Sequence, residues 1–150
     1  MAGLRTVSER KSDVLETLST NFDMWVATGD PLGRPHLIAA SGWWNGEHVV
    51  MTTRAATRTA QNLAQNPVVQ LALGTQGDAI VIAAELIDSF PAAEAPAAIA
   101  DGFEASAGWD PREEGEGWVF YRLKPSRIQA YRGYAELEGR MVMKDSRWLA

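Results

Sequence analysis

The sequence contains no cysteine and only two histidines in 150 residues. Without cysteine the chain has no disulfide bond, no thiolate nucleophile and no cysteine-ligated zinc, and its composition fits a reducing compartment. Its 14 basic and 19 acidic side chains give a net charge of −5, whereas a nucleic-acid-binding surface is usually basic. No apolar run approaches the roughly 20 residues of a membrane span, and no apolar stretch follows the N-terminal charges as in a secretory signal. We therefore expect one cytoplasmic domain over residues 1–150, with no nucleic-acid or membrane partner.

The common catalytic constellations are also missing from the sequence. His36 and His48 both fall in one predicted hairpin, and no G-x-S-x-G elbow accompanies them, so a hydrolase triad has no support. A cross-strand pair of these histidines is compatible with a metal, but no H-E-x-x-H spacing is present, and we expect partly exposed strand histidines and no metal site. Glu113 and Glu114 are typical of a solvated face. No side chain is assigned a catalytic role.

What the sequence does contain is the pattern of a β-meander. Apolar or alternating segments predict strands at 24–28, 36–44, 48–53, 68–73, 79–86 and 118–131, the last as one strand or as two with a break at Pro125. Asn45-Gly46 is a strong hairpin signal because both residues tolerate positive φ. The apolar stretch 79–84 indicates a strand that is covered on both faces. The tail from Tyr134 is typical of a final strand or of an arm over a neighbouring subunit.

Short helices complete the predicted fold. Residues 8–20 are amphipathic, with Ser8 or Ser12 as the N-cap, and an alanine-rich segment predicts a helix at about 96–106. The result is a mainly β (α+β) chain, an antiparallel barrel of six or seven strands with helical insertions. The six tryptophans are best explained by packing, with one or two available to line a pocket for a flat ligand.

The segment from Thr52 to Thr59 carries four threonines and two arginines, where an ordinary turn uses Gly, Asn or Asp. Thr57 is a candidate N-cap for a helix at 58–66, whose first turn presents unpaired N–H groups and about half a positive charge. Arg58 is unfavourable beside that dipole by roughly 0.3–1 kcal/mol, whereas a charge-assisted hydrogen bond to an anion contributes about 1.5–3 kcal/mol. The threonine hydroxyls can donate to phosphate oxygens. The residues alone favour a phosphate site no more than a solvent-exposed arginine in a turn.

The order of these segments resembles the pyridoxamine 5′-phosphate oxidase-like family, the flavin-binding split barrels that include deazaflavin-dependent reductases. The stretches that carry the resemblance are WVATGDPLGRPHLIAASGWWNGEHVVMTT, TRTAQNLAQNPVVQLALG and DAIVIAAELID, and WVFYRLKPSRIQAYRG looks like the family's last strands. The resemblance implies a split β-barrel of the FMN-binding type that forms a homodimer. It also implies that the cofactor, FMN or the deazaflavin coenzyme F420, lies in a groove between subunits.

The resemblance further implies which residues contact the cofactor: Leu37, Ile38, Ala39, Thr52, Thr53, Arg54, Thr57, Arg58, Thr59, Gly77, Asp78 and Trp148. The turn residues match phosphate-binding and ribityl-binding positions, and the strand at 36–40 matches one whose backbone bonds the flavin ring. The 77–78 segment corresponds to one from the other subunit, and the chain end resembles the family's closing Trp and Arg. Thr59 stands where the family usually has lysine, and Arg54 is a candidate for replacing that charge.

The implied function is a flavin- or deazaflavin-dependent oxidoreductase, with hydride transfer between the bound cofactor and a small substrate. The family's vitamin B6 enzymes hold substrate with a C-terminal Arg-x-His, and this chain has no histidine after His48, which disfavours such a substrate. One alternative is a non-catalytic split barrel that carries or senses flavin, deazaflavin or haem. Another is a structural dimer with a degenerate site.

Overall fold

A computed structural model describes residues 3–20 and 22–150. Its helices are α1 (Val7–Leu18), α2 (Arg58–Gln65) and α3 (Ala97–Ala107). Its strands are β1 (Phe22–Gly29), β2 (Pro35–Trp44), β3 (Val49–Arg54), β4 (Val68–Thr75), β5 (Asp78–Pro91), β6 (Trp118–Tyr131), β7 (Met141–Lys144) and β8 (Arg147–Trp148). Among the described residues, none of the helices has the length and apolar character needed to cross a bilayer.

The strands form one antiparallel sheet in the order β3-β2-β1-β4-β5-β6-β7-β8, and pairing of β3 with β6 closes the first six into a barrel. β7 and β8 extend the sheet beyond the barrel from the C-terminal half of β6. The predicted antiparallel barrel with short helices is therefore confirmed. β6 runs unbroken through Pro125, which pairs with Ala84 beside a register shift, so the predicted segment is one strand and the tail adds a short hairpin.

The barrel is split between β2 and β3. These strands pair only from Gly42–Met51 to Trp44–Val49, and β2 then diverges from β3 while it stays paired with β1 back to Pro35. α2 packs against β1, β2 and β3 at this opening. One edge of β2 over residues 35–41 therefore has no strand partner among the described residues, and its N–H and C=O groups remain available for other acceptors and donors.

The main core fills the barrel with the inward side chains of alternating strands. Val26, Met51, Leu71, Ile82 and Ile128 are at most 1% exposed. Burying each such side chain contributes roughly 1.5–3 kcal/mol to the stability of the fold. The apolar residues whose alternation predicted the strands are therefore the ones that stabilise the barrel.

A second, smaller core lies beneath α3, where aromatic rings pack edge to face. The ring of Phe103 is 5.5 Å from that of Phe120 and 5.7 Å from that of Trp109, between centroids, and Trp109 is 5.1 Å from Trp118. Such pairs contribute about 0.5–1.5 kcal/mol beyond the burial of their area. This cluster joins the α3 insertion to the start of β6, next to the end of β3.

Two local predictions need correction. The N-cap of α1 is Thr6, not Ser8 or Ser12: the Thr6 hydroxyl accepts the N–H of Glu9, whose carboxylate accepts the N–H of Thr6. The hairpin after β2 forms as predicted, but only Gly46 has positive φ, because the Asn45 side chain instead accepts two N–H groups of the turn.

The apolar strand β5 is covered on one face only within this protomer. Ile80 and Ile82 point into the core, whereas Val81 is only half-buried on the outer face, so the prediction of cover on both faces is wrong for the isolated chain. The outer face continues across β4 and β1 to β2. On this face Trp25 of β1 is 55% exposed and Leu37 of β2 is 59% exposed.

Candidate functional site

The strand-to-helix turn that the sequence singled out runs from the end of β3 into α2. Thr57 caps α2 as predicted: its hydroxyl accepts the N–H of Ala60 at 3.2 Å and donates to the carbonyl of Arg54 at 2.9 Å. The Thr57 N–H also donates to that carbonyl, at 3.1 Å. The turn is thus held closed by its own hydrogen bonds.

Two backbone donors at the start of α2 are unpaired, and one of them is accessible. The hydrogen bonds of this turn are donated by the N–H groups of Thr57, Ala60 and Gln61. The N–H groups of Arg58 and Thr59 have no acceptor among the residues that the structure describes. Thr59 is fully buried, so the N–H that can face an anion is that of the exposed Arg58, and the helix dipole adds to its attraction.

The threonine hydroxyls, by contrast, are mostly engaged within the protein. Thr52 donates to the carbonyl of Val119 at 2.8 Å, and Thr53 lies 3.3 Å from the Thr57 hydroxyl. Thr59 is 0% exposed, and its hydroxyl has no hydrogen-bond partner among the described residues. The Thr52 and Thr53 hydroxyls therefore already have partners within the protein, and Thr59 is enclosed.

The two arginines of the turn are exposed and lack acidic partners. Neither Arg54 nor Arg58 lies within 4.0 Å of a carboxylate in the described part of the chain. The guanidinium carbon of Arg54 is 5.1 Å from the ring centroid of Trp118, in a cation–π arrangement. The turn therefore combines the accessible N–H of Arg58 with two arginine charges that no carboxylate of the described residues neutralises.

Solved structures of other proteins share this architecture. No protein-family model and no curated protein matches the sequence. An F420 reductase aligns with a TM-score of 0.64 and 18% identity over 75% of this chain and 93% of its own. A pyridoxamine 5′-phosphate oxidase-related, FMN binding protein from Nostoc punctiforme has a TM-score of 0.58 and 13% identity over 81% of this chain and 84% of its own. ChuZ from Campylobacter jejuni has a TM-score of 0.71 and 13% identity over 95% of this chain and 65% of its own.

These likenesses, with the closed six-strand barrel and its opening, decide the fold. The chain has the split-barrel fold of the pyridoxamine 5′-phosphate oxidase-like proteins. At these identities the likeness shows the fold alone, so the chemistry of the split barrel rests on its own residues.

The split barrel places the predicted β2 segment beside the opening. Ile38 is half-buried against the core, whereas Leu37 and Ala39 are exposed on the outer face. Their backbone lies on the stretch of β2 that is unpaired toward β3, and α2 packs against this strand. The β2 edge and the turn thus border the same opening, as the resemblance implied.

The remaining predicted residues lie elsewhere in the protomer. Gly77 and Asp78 form the β4–β5 turn, which the antiparallel order puts at the opposite end of the sheet from the turn at 54–58. Trp148 pairs with Met143 on the β7–β8 hairpin, under the ammonium of Lys11. The single chain therefore does not bring these three residues to the turn, and their cofactor contacts stay predictions.

The histidines do not form a catalytic or metal-binding pair. His48 lies opposite Asn45 in the hairpin before β3, and His36 lies at the far end of β2, so they do not face each other. His36 is partly exposed as expected, but His48 is buried, and burial lowers its pKa. In residues 3–20 and 22–150, no three His, Asp or Glu side chains are grouped as metal ligands.

Sequence reasoning missed one component of the site, the contact of the turn with Trp118 and the segment before it. The carbonyl of Gly117 accepts the N–H of Ala55 at 2.8 Å, and Trp118 packs on Arg54. These residues are about sixty positions apart in the chain, so no local pattern reports the contact.

Proposed function

We propose that this chain is a flavin- or deazaflavin-dependent oxidoreductase that holds the phosphate of FMN or F420 at the Thr52–Thr59 turn. The observation that carries the proposal is the coincidence of the unpaired, accessible N–H of Arg58 at the helix N-terminus with two arginines that have no acidic partner among the described residues. An exposed cation held beside helix N–H donors is electrostatically unfavourable, and a phosphate removes that cost.

The residues present fit such a group. Arg58 would supply a charge-assisted hydrogen bond to the phosphate, its backbone N–H would add one more donor, and Arg54 would add a second positive charge. The unpaired edge of β2 over 37–39 would bond the polar edge of the ring through its backbone. The cofactor, once bound, supplies the hydride chemistry, and the protein supplies binding, orientation and exclusion of water.

The comparisons support the type of cofactor. One protein of the same fold is described as an F420 reductase and another as FMN binding, which agrees with a flavin-type cofactor at this opening. The choice between FMN and F420 rests on this chain's own residues.

We also propose that the protein acts as a homodimer. The outer face of β2, β1, β4 and β5 exposes apolar side chains that include Trp25, Leu37 and Val81. Burying a continuous apolar face is a common basis of obligate dimers. The 77–78 turn and Trp148 lie away from the Thr52–Thr59 turn within one chain, so the contacts that the resemblance implies for them would have to come from the second copy.

Titration of the purified protein with FMN and with F420 tests the proposal. We expect Arg58→Ala to weaken the Kd of the bound cofactor at least tenfold, about 1.4 kcal/mol, because the charge-assisted bond is lost. Arg58→Lys should retain part of the affinity. Lys144→Ala removes one exposed positive charge from β7 and should leave the Kd unchanged. Equal affinity in Arg58→Ala and Lys144→Ala, or no binding of either cofactor to the wild type, would refute the proposal.

A second candidate function is a non-catalytic carrier or sensor of flavin, deazaflavin or haem. The observation that favours it is the position of Thr59, whose enclosed side chain brings no charge to the turn where the resembling family has lysine. Cofactor reduction by chemical and nicotinamide donors, followed at the flavin absorbance band, separates the two. A protein that binds the cofactor but never exchanges electrons with any donor is a carrier.

A further inference from the structure

The outer face of β2, β1, β4 and β5 carries two aligned rows of uncharged side chains. The strand register places Ala39, Trp25, Ala72 and Val81 in one row across the four strands. The neighbouring row is also uncharged; it runs through Leu37, Ala27, Gln70 and Ala83. Successive residues of a strand point to opposite faces, so both rows lie on the side of the sheet away from the barrel core.

A cavity of about 910 Å³ opens on this face beside Trp25. Small side chains that include Ala72 and Ala79 line it, together with Tyr131 at the end of β6 and Tyr134 just after it. Trp25 is 55% exposed, and Tyr134 is 92% exposed. The face therefore combines an exposed indole ring among alanines with a recess next to that ring.

The two rows have the size of the apolar centre of an interface. Four strands about 4.8 Å apart and about five residues long cover roughly 20 Å by 17 Å, or roughly 340 Å² in projection. Apolar patches of several hundred Å² mark interaction sites, and a standard interface buries about 800 Å² per partner, with an apolar core inside a polar rim. Charged residues border the rows at Asp23, Glu85 and Arg127 and would form that rim.

A second copy of the chain covers both features of the face at once. In a two-fold symmetric interface, residue i contacts residue j of the other copy and the reverse contact also forms, so an indole and a recess on one face can be covered by their counterparts. A small molecule in the cavity would leave Leu37 and Ala39 exposed, because β1 separates β2 from β4. A partner with a charged surface would find no opposite charge in either row.

We infer that each Trp25 anchors the dimer by inserting into the cavity of the other copy. The inference rests on the proposed homodimer and adds the residue and the cavity that hold it together. Because Trp25 also lines its own cavity, the two indole rings lie close to each other at the two-fold axis. A tryptophan that is buried at the centre of an interface commonly dominates the binding free energy.

Sedimentation of the purified protein over a range of concentrations measures the dissociation constant of the dimer. Trp25→Ala should raise this constant at least about thirtyfold, and Trp25→Phe, which keeps an aromatic ring, should raise it less. Leu32→Ala is the control: Leu32 is 78% exposed in the β1–β2 turn, outside both rows, and its loss should leave the constant unchanged. Far-UV circular dichroism should show all three variants folded, because both side chains are largely exposed in the single chain.

Thiol cross-linking locates the two-fold axis, because the chain contains no cysteine of its own. Ala72→Cys places a single thiol beside Trp25 in the same row, and a short bismaleimide should join two such chains. Ala98→Cys places the thiol on the exposed side of α3, and these chains should stay separate.

The outcomes separate the inference from the proposals on which it rests. A dimer that survives Trp25→Ala or that Leu32→Ala weakens equally, or cross-linking through Ala98→Cys in place of Ala72→Cys, overturns the inference and leaves the homodimer itself intact. A monomeric wild type overturns both, and if Trp25→Ala then weakened FMN binding, the cavity would belong to a ligand. The phosphate contact of Arg58 is tested separately by the cofactor titration.

Discussion

Two arginine-rich regions of this molecule differ in whether their charges are paired. One is the N-terminal clasp, formed by Arg5, Arg10 and Glu136, in which Arg5 Nη2 lies 2.6 Å from Glu136 Oε1. Arg10 is 2% exposed and donates to the carbonyls of Ala130 and Glu136 at 3.0 and 2.9 Å. The other is the turn with Arg54 and Arg58, which has no acidic partner among the described residues.

The difference separates a structural role from a binding role. In the clasp each buried charge is compensated by a carboxylate or by carbonyls, because an unpaired buried charge costs several kcal/mol. The clasp therefore ties the start of α1 to the segment after β6. At the turn the arginine charges are exposed and have no acidic partner among the described residues. A bound anion would compensate them. A substitution should lower stability in the clasp and ligand affinity at the turn.

The largest expected effect is on the free energy of unfolding when the clasp is broken. Glu136→Gln removes the charge opposite Arg5, which is 11% exposed at its side chain, and should destabilise the fold by about 3 kcal/mol. Arg58→Ala should change the same quantity by less than about 0.5 kcal/mol, because an exposed unpaired arginine makes few contacts. Urea unfolding at pH 7 measures both. Equal losses in the two variants would remove the distinction between the regions.

The next effect is the acid sensitivity of the clasp. Hydrogen bonds from Arg5 lower the pKa of Glu136 from its usual 4.5 to about 2. Since the folded-state pKa lies below the unfolded one, this stabilisation is fully present above pH 4.5 and is lost as the pH falls toward 2. Between pH 7 and pH 3 the wild type should lose about 2 kcal/mol through this group. Urea unfolding of Glu136→Gln should show a smaller loss over the same range, and an equal loss would contradict the assignment.

A smaller effect is expected at the turn, on ligand-linked stability. FMN at about 100 times its Kd should raise the free energy of unfolding of the wild type by about 2.7 kcal/mol. At the same FMN concentration Arg58→Ala should gain about 1.4 kcal/mol less, since its Kd is tenfold weaker. Thermal unfolding with and without FMN gives the comparison. Glu136→Gln serves as the converse control: its stability without ligand falls, but its gain from FMN should match that of the wild type.

The same contrast explains how far the sequence could predict the molecule. The meander and α2 were predicted because the alternation of apolar residues and the Thr57 cap are local signals that the core also favours. The clasp was not predicted, since Arg5 and Glu136 are 131 positions apart and nothing local pairs them. The N-cap of α1 was misplaced because Ser8, Ser12 and Thr6 are all acceptable caps, and the match with Glu9 decided between them.

The candidate site was predicted in part, for a related reason. Arg58 at a helix start conflicts with the helix dipole, and such local conflicts are readable from sequence. The hydrogen-bond partner of a hydroxyl cannot be read from the sequence. Thr52 donates to a carbonyl of β6, which only the closed barrel brings near. The contact of Gly117 with Ala55 of the turn depends on the same closure.

The smallest expected effect compares the two threonine helix caps of the molecule, only one of which lies at the turn. Thr57 caps α2 at the turn, and Thr6 caps α1 through a capping box with Glu9. Thr57→Ala and Thr6→Ala should each lower the free energy of unfolding by about 1 kcal/mol, because each leaves one helix N–H without its acceptor. Only Thr57→Ala should also weaken FMN, by a few fold, since its hydroxyl and the Arg54 carbonyl shape the turn that presents the accessible N–H of Arg58. Equal FMN affinity in both variants would mean that Arg58 binds phosphate without help from the helix N-terminus.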